Sequence, residues 1–443
     1  MPRLFGTDGV RGRANAELTP ELAIGLGRAA AQTLVRGRAP LLIGRDPRRS
    51  GTMLEGALAA GACSAGAEVV LAGVVTTPAL AHLVRRDGAG AGAMLSASHN
   101  PFEDNGIKFI ARDGFKLPDE VEDALERSVT VGGGTARPEG AAVGAVRRDE
   151  GAVQRYLDYA VTLLPQGALA GVPVVVDGAN GSASVIAPAV LARLGARVTS
   201  IHCTPDGVNI NRGCGSTSPG DLARRVLAEG AVAGFAFDGD GDRLIAVDER
   251  GRILDGDQIM AILALEFKGT GRLVGDSLAI TVMSNLALTK LLQDAGIGVV
   301  STRVGDRYVL DAMRAKGLML GGEQSGHIIS LAHNTTGDGL VTALLLLGAM
   351  LRTGKRLSEL AVLVPYPQVL VNVTAARKGD LPRNQALLAA IARQEARLGA
   401  EGRVLVRPSG TEPLVRVMVE GAAEEVVREI AGELAAVIER ELA

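Results

Sequence analysis

Short apolar runs alternate along this chain with longer alanine- and leucine-rich segments compatible with helix. That alternation predicts an α/β architecture with mixed, largely parallel sheets. The runs at 41–43, 173–176 and 273–274 lead into Gly44-Arg45-Asp46, Asp177-Gly178-Ala179-Asn180-Gly181 and Gly275-Asp276-Ser277, and each reads as a strand turning into a helix N-terminus. Further along each unit a second apolar run ends in a polar, glycine-rich loop, at 96–101, 238–243 and 321–327. Three units presenting one loop each is the pattern that internal duplication leaves.

From about residue 365 the pattern shortens. Strand-like stretches at 368–373, 403–406 and 414–420 surround a helical stretch at 383–398 and precede a terminal helix at 422–442. That last helix alternates apolar and charged residues at helical spacing, as an amphipathic helix covering a sheet does. The glycine-rich stretch 129–142 reads as an exposed excursion, and Asp248-Glu249-Arg250-Gly251 as a turn between the second and third units. The expected domains are 1–152, 153–250, 251–366 and 367–443.

Composition narrows the function classes. At 443 residues the chain can bury several cores, and its 47% hydrophobic content is mostly alanine and valine spread through the units. The longest apolar run, 340–351, contains Thr342 and Gly348 and falls short of the about 20 residues of a membrane span, so it predicts a buried helix. No basic region followed by an apolar segment marks the start, which predicts a cytoplasmic protein. Cys63, Cys203 and Cys214 form no C-x-x-C pair and are odd in number, which predicts reduced structural thiols. A net charge of -2, 2% aromatic residues and no tryptophan supply neither an electrostatic footprint nor stacking platforms for nucleic acid. A small molecule is the expected partner, with no nucleic acid and no membrane.

Four stretches carry candidate chemistry. In Ser96-Ala97-Ser98-His99-Asn100-Pro101 the proline biases Asn100 away from helix, placing Ser98 on a loop at a strand's end, where it reads either as a capped turn or as a reactive loop. Asp238-Gly239-Asp240-Gly241-Asp242-Arg243 sets three carboxylates at alternate positions with glycine spacers, a donor set for Mg2+ or Ca2+. It is not an EF-hand, because Arg243 stands where that loop needs glycine and the flanks read as strands. Gly321-Gly322-Glu323-Gln324-Ser325-Gly326-His327 suits a polyol: Glu323 can accept from two adjacent sugar hydroxyls, and His327 can exchange a proton near neutral pH. Arg407-Pro408-Ser409-Gly410-Thr411-Glu412-Pro413 offers a guanidinium fork, two hydroxyls and main-chain donors, an anion clamp. Phe5-Gly6-Thr7-Asp8-Gly9-Val10-Arg11-Gly12 adds another glycine-bracketed arginine.

Together FGTDGVRG, SASHNP, DGDGDR, GEQSGH and RPSGTEP resemble the motifs of the α-D-phosphohexomutase family, in order and across the chain. The resemblance implies three similar α/β domains and a smaller α+β C-terminal domain around a central cleft. Ser98 would be carried as a phosphoserine whose phosphate joins Asp238, Asp240 and Asp242 around one Mg2+ per chain. Phosphoryl transfer then passes through a sugar 1,6-bisphosphate that turns over in the cleft. Arg407, Ser409, Gly410 and Thr411 would hold the distal phosphate, and Glu323 and Ser325 the sugar. Arg243 and Arg307 would also face substrate, and Arg11, Lys108 and His327 would serve proton transfer or charge stabilisation. His99 is expected to orient the loop, since neighbours on an extended chain point to opposite sides.

The opening motif and the glutamine of GEQSGH imply a hexosamine phosphate as substrate. The implied reaction interconverts glucosamine 6-phosphate and glucosamine 1-phosphate for cell-wall precursors, with glucosamine 1,6-bisphosphate as intermediate and activator. A homodimer is compatible with the resemblance. The rival readings are a mannose- or glucose-phosphate mutase of the same family, a non-catalytic sugar-phosphate sensor and a metal-dependent phosphatase.

Overall fold

A computed structural model describes residues 4–6, 8–130, 137–409 and 413–442. The chain forms two compact units, Met1–Met283 with Ile297–Val362, and Ser284–Gly296 with Leu363–Ala443. The larger unit contains three sheets of related plan.

In the first sheet the strand order is Val10–Arg13, Asp104–Ala111, Ala91–Leu95, Leu41–Arg45, Val69–Val74 and Val146–Arg148. Leu41–Arg45 pairs in parallel with both Val69–Val74 and Ala91–Leu95, and Ala91–Leu95 then pairs antiparallel with Asp104–Ala111. The second sheet repeats this: Pro173–Asp177 is parallel to Arg197–Ile201 and Ala233–Phe237, and Ala233–Phe237 is antiparallel to Leu244–Asp248. In the third, Ser277–Thr281 is parallel to Gly298–Thr302 and Leu320–Gly322, and Leu320–Gly322 is antiparallel to Ile328–Ser330. In all three the chemistry-bearing loop is the reversal between the last parallel strand and its antiparallel neighbour. The central parallel strands are buried, in keeping with helical crossovers that cover their faces, whereas the outer ones at Arg197–Ile201 and Gly298–Thr302 are part-exposed.

The sequence reading differs from this at two places. The run at 273–274 leads into a 3-10 turn, Val274–Asp276, kinked at Gly275 (φ 71°), rather than forming a strand; the strand follows at Ser277–Thr281. The turn at 248–251 closes a hairpin, and Ile253–Leu254 still pairs with the second sheet. Residues 131–136 lie outside the described residues, and 137–142 are largely exposed. The apolar run at 340–351 sits in the helix Gly339–Thr353, buried from Gly339 to Ala349 and capped by Asp338, whose Oδ1 accepts from Val341 N at 3.1 Å.

The smaller unit has an antiparallel sheet ordered Gln368–Thr374, Leu414–Gly421, Gly402–Pro408. The terminal helix Glu424–Leu442 buries Val427, Ile430, Leu434 and Ile438 with it, the expected amphipathic face. The helix Leu286–Asp294 belongs to this unit, tied by Leu286 N to Glu420 at 2.6 Å and by Lys290 to Glu401 at 2.9 Å.

Candidate active site

The serine loop is held by its own backbone. Arg48 and Asp46 are fully buried as side chains and paired at 2.9 Å. The Arg48 guanidinium donates to the carbonyls of Ser98 (3.0 Å), Asn100 (2.8 Å), Asp104 (3.1 Å) and Pro101. Asp46 accepts from Ser96 Oγ at 2.6 Å, and Ser96 Oγ accepts from Ser98 N at 2.9 Å. Asn211 Nδ2 donates to the Ser98 and Asn100 carbonyls at 2.9 and 3.0 Å. Ser98 itself is 1% exposed with φ 52°, a left-handed conformation that a non-glycine residue adopts only when its surroundings over-determine it. Because the chain is not extended there, the alternation expected for His99 does not apply: its Nδ1 lies 3.4 Å from Ser98 Oγ. Burial, then Arg243 and Arg11, push the His99 pKa down to about 4.

Ser98 Oγ donates to Asp238 Oδ2 at 2.6 Å, joining the serine loop to the carboxylate loop across 140 residues of sequence. The close approach requires glycine between the aspartates, since a Cβ on Gly239 would lie 2.5 Å from the Ser98 carbonyl. Asp238, Asp240 and Asp242 are 0%, 0% and 7% exposed, and one oxygen of each lies within 4.8 Å of the others. Thr77 Oγ1 and Lys108 Nζ donate to Asp240 Oδ2 at 2.6 and 2.8 Å, yet Asp240 Oδ1 and Asp242 Oδ1 are buried without a hydrogen-bond partner among the described residues. Burial, and then repulsion from Asp242 and Asp240, drive the Asp238 pKa well above the usual carboxylate range. Three buried, oxygen-only, partly unpartnered donors fit a hard divalent cation, which removes that repulsion. The strand flanks agree with rejection of an EF-hand.

Around the carboxylates runs a chain of alternating charge. Lys108 reaches Asp240 and, at 3.9 Å, Asp242; His327 Nδ1 is 3.5 Å from Asp242, and its Nε2 is 3.4 Å from Asp306. Lys116 bridges Asp306 to Asp8 (2.6 Å to the latter), and Asp8 pairs with Arg11 at 2.5 Å. Burial works against the charged form of His327, but Asp242 and Asp306 outweigh it and raise its pKa to about 9. Lys108 likewise stays above its ordinary value, because Asp240, Asp8 and Asp242 outweigh burial. Arg243 donates its backbone N–H to Asp238 Oδ1 at 3.2 Å, and its Nε lies 4.0 Å from Asp242. Thus Ser98, the three aspartates, Lys108, Arg243 and His327 come together, with Arg11 joined through Asp8.

In the third loop Glu323 Oε1 accepts from Gly305 N at 3.0 Å, Gln324 donates to the helix-capping Asp255 at 3.2 Å, and Ser325 is exposed. Arg307 is not part of the carboxylate cluster: it is ion-paired with Asp119 and, at 2.8 Å, with Glu122. In the smaller unit Arg407 pairs in register with Arg416, so two cations stand side by side on neighbouring strands. Burial and Arg416 lower the Arg407 pKa. Ser409 N donates to Leu414 O at 2.8 Å, and its own carbonyl accepts from Lys378 at 2.7 Å. Gly410 and Thr411 lie outside the described residues.

Sequence reasoning passed over Arg48, Thr77, Lys116, Asn211 and Asp306, and assigned no role to Asp8 or Asp46, although those two lie in stretches it singled out. A glycine-flanked acid beside an arginine, as in Asp8-Gly9-Val10-Arg11 and Gly305-Asp306-Arg307, was the one available signal.

Four profiles of one family match the chain in order. They are the phosphoglucomutase/phosphomannomutase alpha/beta/alpha domains I, II and III over residues 2–133, 154–251 and 255–366, and the C-terminal domain over 370–437. A phosphoglucosamine mutase of Desulforudis audaxviator is 54% identical over 442 residues, covering 99% of this chain and 98% of that protein. One of Kineococcus radiotolerans is 53% identical and covers 100% of both. A phosphoglucomutase/phosphomannomutase family protein of Burkholderia thailandensis, 23% identical, shares the fold with a TM-score of 0.81 over 100% of this chain and 98% of that one.

Proposed function

Because this chain belongs to the phosphoglucomutase/phosphomannomutase family, and is therefore a phosphomutase, we propose that it interconverts glucosamine 6-phosphate and glucosamine 1-phosphate. Full-length relatives more than half identical carry the name phosphoglucosamine mutase, which supports hexosamine phosphate as substrate. The observation that carries the mechanism is Ser98 Oγ, 2.6 Å from Asp238 at the edge of a buried, under-partnered carboxylate triad.

In this reading Ser98 holds a phosphoryl group. A sugar hydroxyl oxygen forms a bond to that phosphorus as the bond to Ser98 Oγ breaks, so the hydroxyl proton leaves and Oγ takes one up. The resulting glucosamine 1,6-bisphosphate turns over and returns its other phosphoryl group to Ser98, with the proton movements reversed. Asp238, Asp240 and Asp242 would hold one Mg2+, which would supply positive charge for phosphoryl transfer. Lys108 and Arg243 add fixed cationic charge beside the aspartates, and the fold prepares it in advance, which is the form of electrostatic stabilisation that needs no reorganisation. In this reading His327, charged between Asp242 and Asp306, would give a proton to a leaving oxygen rather than take one. Arg11 is positioned through Asp8. Glu323 and Ser325 receive sugar hydroxyls, and Arg407, Ser409, Gly410 and Thr411 clamp the distal phosphate, with Arg307 engaging substrate only by exchanging its acidic partners.

We assign the four domains to 1–152, 153–250, 251–366 and 367–443. No helix among the described residues is long and apolar enough to cross a membrane, and a cytoplasmic site in cell-wall precursor synthesis fits the substrate. Turnover of glucosamine, glucose and mannose phosphates by one preparation tests the reading. Preference for the amino sugar is expected, and preference for mannose 1-phosphate would overturn it. Intact-mass analysis should find one phosphoryl group on the Ser98 peptide in a fraction of molecules; a Ser98 that also resists phosphorylation by the bisphosphate would favour a binding protein without mutase chemistry.

A further inference from the structure

A second constellation of metal-ligating side chains lies in the same unit, outside the carboxylate loop. Asp177 ends the strand Pro173–Asp177 and is fully buried; His202 follows the parallel strand Arg197–Ile201, whose last residue is the register partner of Asp177; Cys214 is fully buried just before the 3-10 turn Gly215–Thr217. A carboxylate oxygen, an imidazole nitrogen and the Cys214 sulfur lie within 4.8 Å of one another. We propose that Asp177, His202 and Cys214 form a binding site for a zinc-class divalent cation, separate from the magnesium site.

The geometry suits coordination. His202 Nδ1 is 3.1 Å from Asp177 Oδ2, close to the about 3.3 Å that separates two ligands of a tetrahedral ion with bonds of about 2.0 Å. Its other nitrogen, Nε2, is 3.2 Å from Asp221 Oδ2. A carboxylate on the far nitrogen is the arrangement that fixes the tautomer and ring plane of a metal-bound histidine. The other Asp177 oxygen is oriented by Ala179 N at 2.9 Å. One oxygen, one nitrogen and one sulfur favour a borderline-soft ion over Mg2+, whereas the all-oxygen triad has the opposite preference. His202 is 27% exposed as a side chain, giving the ion a way in and a solvent ligand a fourth position. Binding would displace to solvent both the Cys214 thiol proton and the proton shared between His202 Nδ1 and Asp177, while Nε2–H stays on Asp221.

The site also touches the catalytic scaffold. Gly215, next to Cys214, packs so closely that a Cβ there would lie 2.5 Å from the carbonyl of Phe237, the residue before Asp238. An ion at Cys214 therefore braces the strand end that presents the aspartates, and should raise thermal stability.

The test is a Co2+ titration of the full-length protein in saturating Mg2+, which occupies the aspartate triad. One equivalent is expected to produce a thiolate-to-cobalt charge-transfer band in the near ultraviolet, abolished by Zn2+. Cys214→Ser should lose the band. His202→Asn, at a part-exposed position whose φ of 48° asparagine tolerates, should weaken Co2+ binding at least about tenfold while staying folded, which keeps the test decisive if the buried serine variant does not fold. Absence of the band at excess Co2+, or its survival at unchanged affinity in His202→Asn, would overturn the proposal.

Discussion

Arg48 and Arg407 both serve loops proposed to handle phosphate, but in opposite surroundings. Arg48 is fully buried, paired with Asp46 and bonded to four carbonyls of the 98–104 segment. Arg407 is part-exposed and stands opposite Arg416, a like-charged cross-strand pair. The first arginine spends its donors on shape and the second keeps its charge for a ligand. A group whose bonds are made and broken needs one fixed position, so Ser98 is over-determined. A clamp that receives a phosphate in two substrate orientations needs available charge more than rigidity.

Three substitutions probe this contrast. Ser98→Ala removes the phosphoryl carrier and should reduce mutase turnover by more than ~10^6-fold, the low end of enzymatic accelerations, with little change in melting temperature; a coupled assay showing substantial residual turnover would remove Ser98 from the mechanism. Arg48→Met leaves Asp46 buried without its counter-charge, strips the Pro101 and Asp104 carbonyls of the guanidinium and leaves those of Ser98 and Asn100 with Asn211 alone. It should cost about 3–5 kcal/mol in urea unfolding, and a near-neutral result would show that the serine loop holds its shape without it. Arg407→Met should raise KM about ten- to a hundredfold, equivalent to about 1.5–3 kcal/mol of charged hydrogen bonding, while stability stays level or rises slightly because the Arg416 repulsion is relieved. Equal loss of stability in the Arg407 and Arg48 variants would erase the distinction.

The loops themselves were legible because their chemistry is local: carboxylates at alternate positions, or a serine before Asn-Pro, declare donor sets within six residues. The sheet plan was legible from alternation for the same reason, except at 273–274, where two apolar residues imitated a strand that begins at Ser277. What could not be read was support across strands. Arg48 lies 50 residues from Ser98, Thr77 lies 163 from Asp240, and Lys116 lies 108 from Asp8; each meets its partner only because of strand order. The alternation argument for His99 fails because it presumes extended backbone, and Ser98 is left-handed. Arg307 followed a motif, but helix Asp119–Thr130 supplies it with two acids that no local pattern announced.

The smallest expected effect concerns that cross-strand support. Helix Thr77–Arg86 begins at the residue that holds Asp240, and its His82 ring stacks on Tyr159 at 4.1 Å and meets Tyr156 edge-on at 5.8 Å. Neither ring nitrogen has a hydrogen-bond partner among the described residues, and burial, then Arg85 and Arg86, press the pKa down to about 4 against an ordinary 6.5. His82 is thus neutral in the fold. Between pH 6.5 and 4 the unfolded chain binds the extra proton, so this group's contribution to stability falls as pH falls through that window and is constant below it. Asp338, buried and raised, titrates with the opposite sign, so the difference between two proteins is the useful quantity. His82→Phe should retain the aromatic packing and lose less melting temperature than the native chain between pH 7 and pH 4.5. Parallel curves would mean that His82 is already solvated and that the helix carrying Thr77 is less firmly seated than the serine loop it supports.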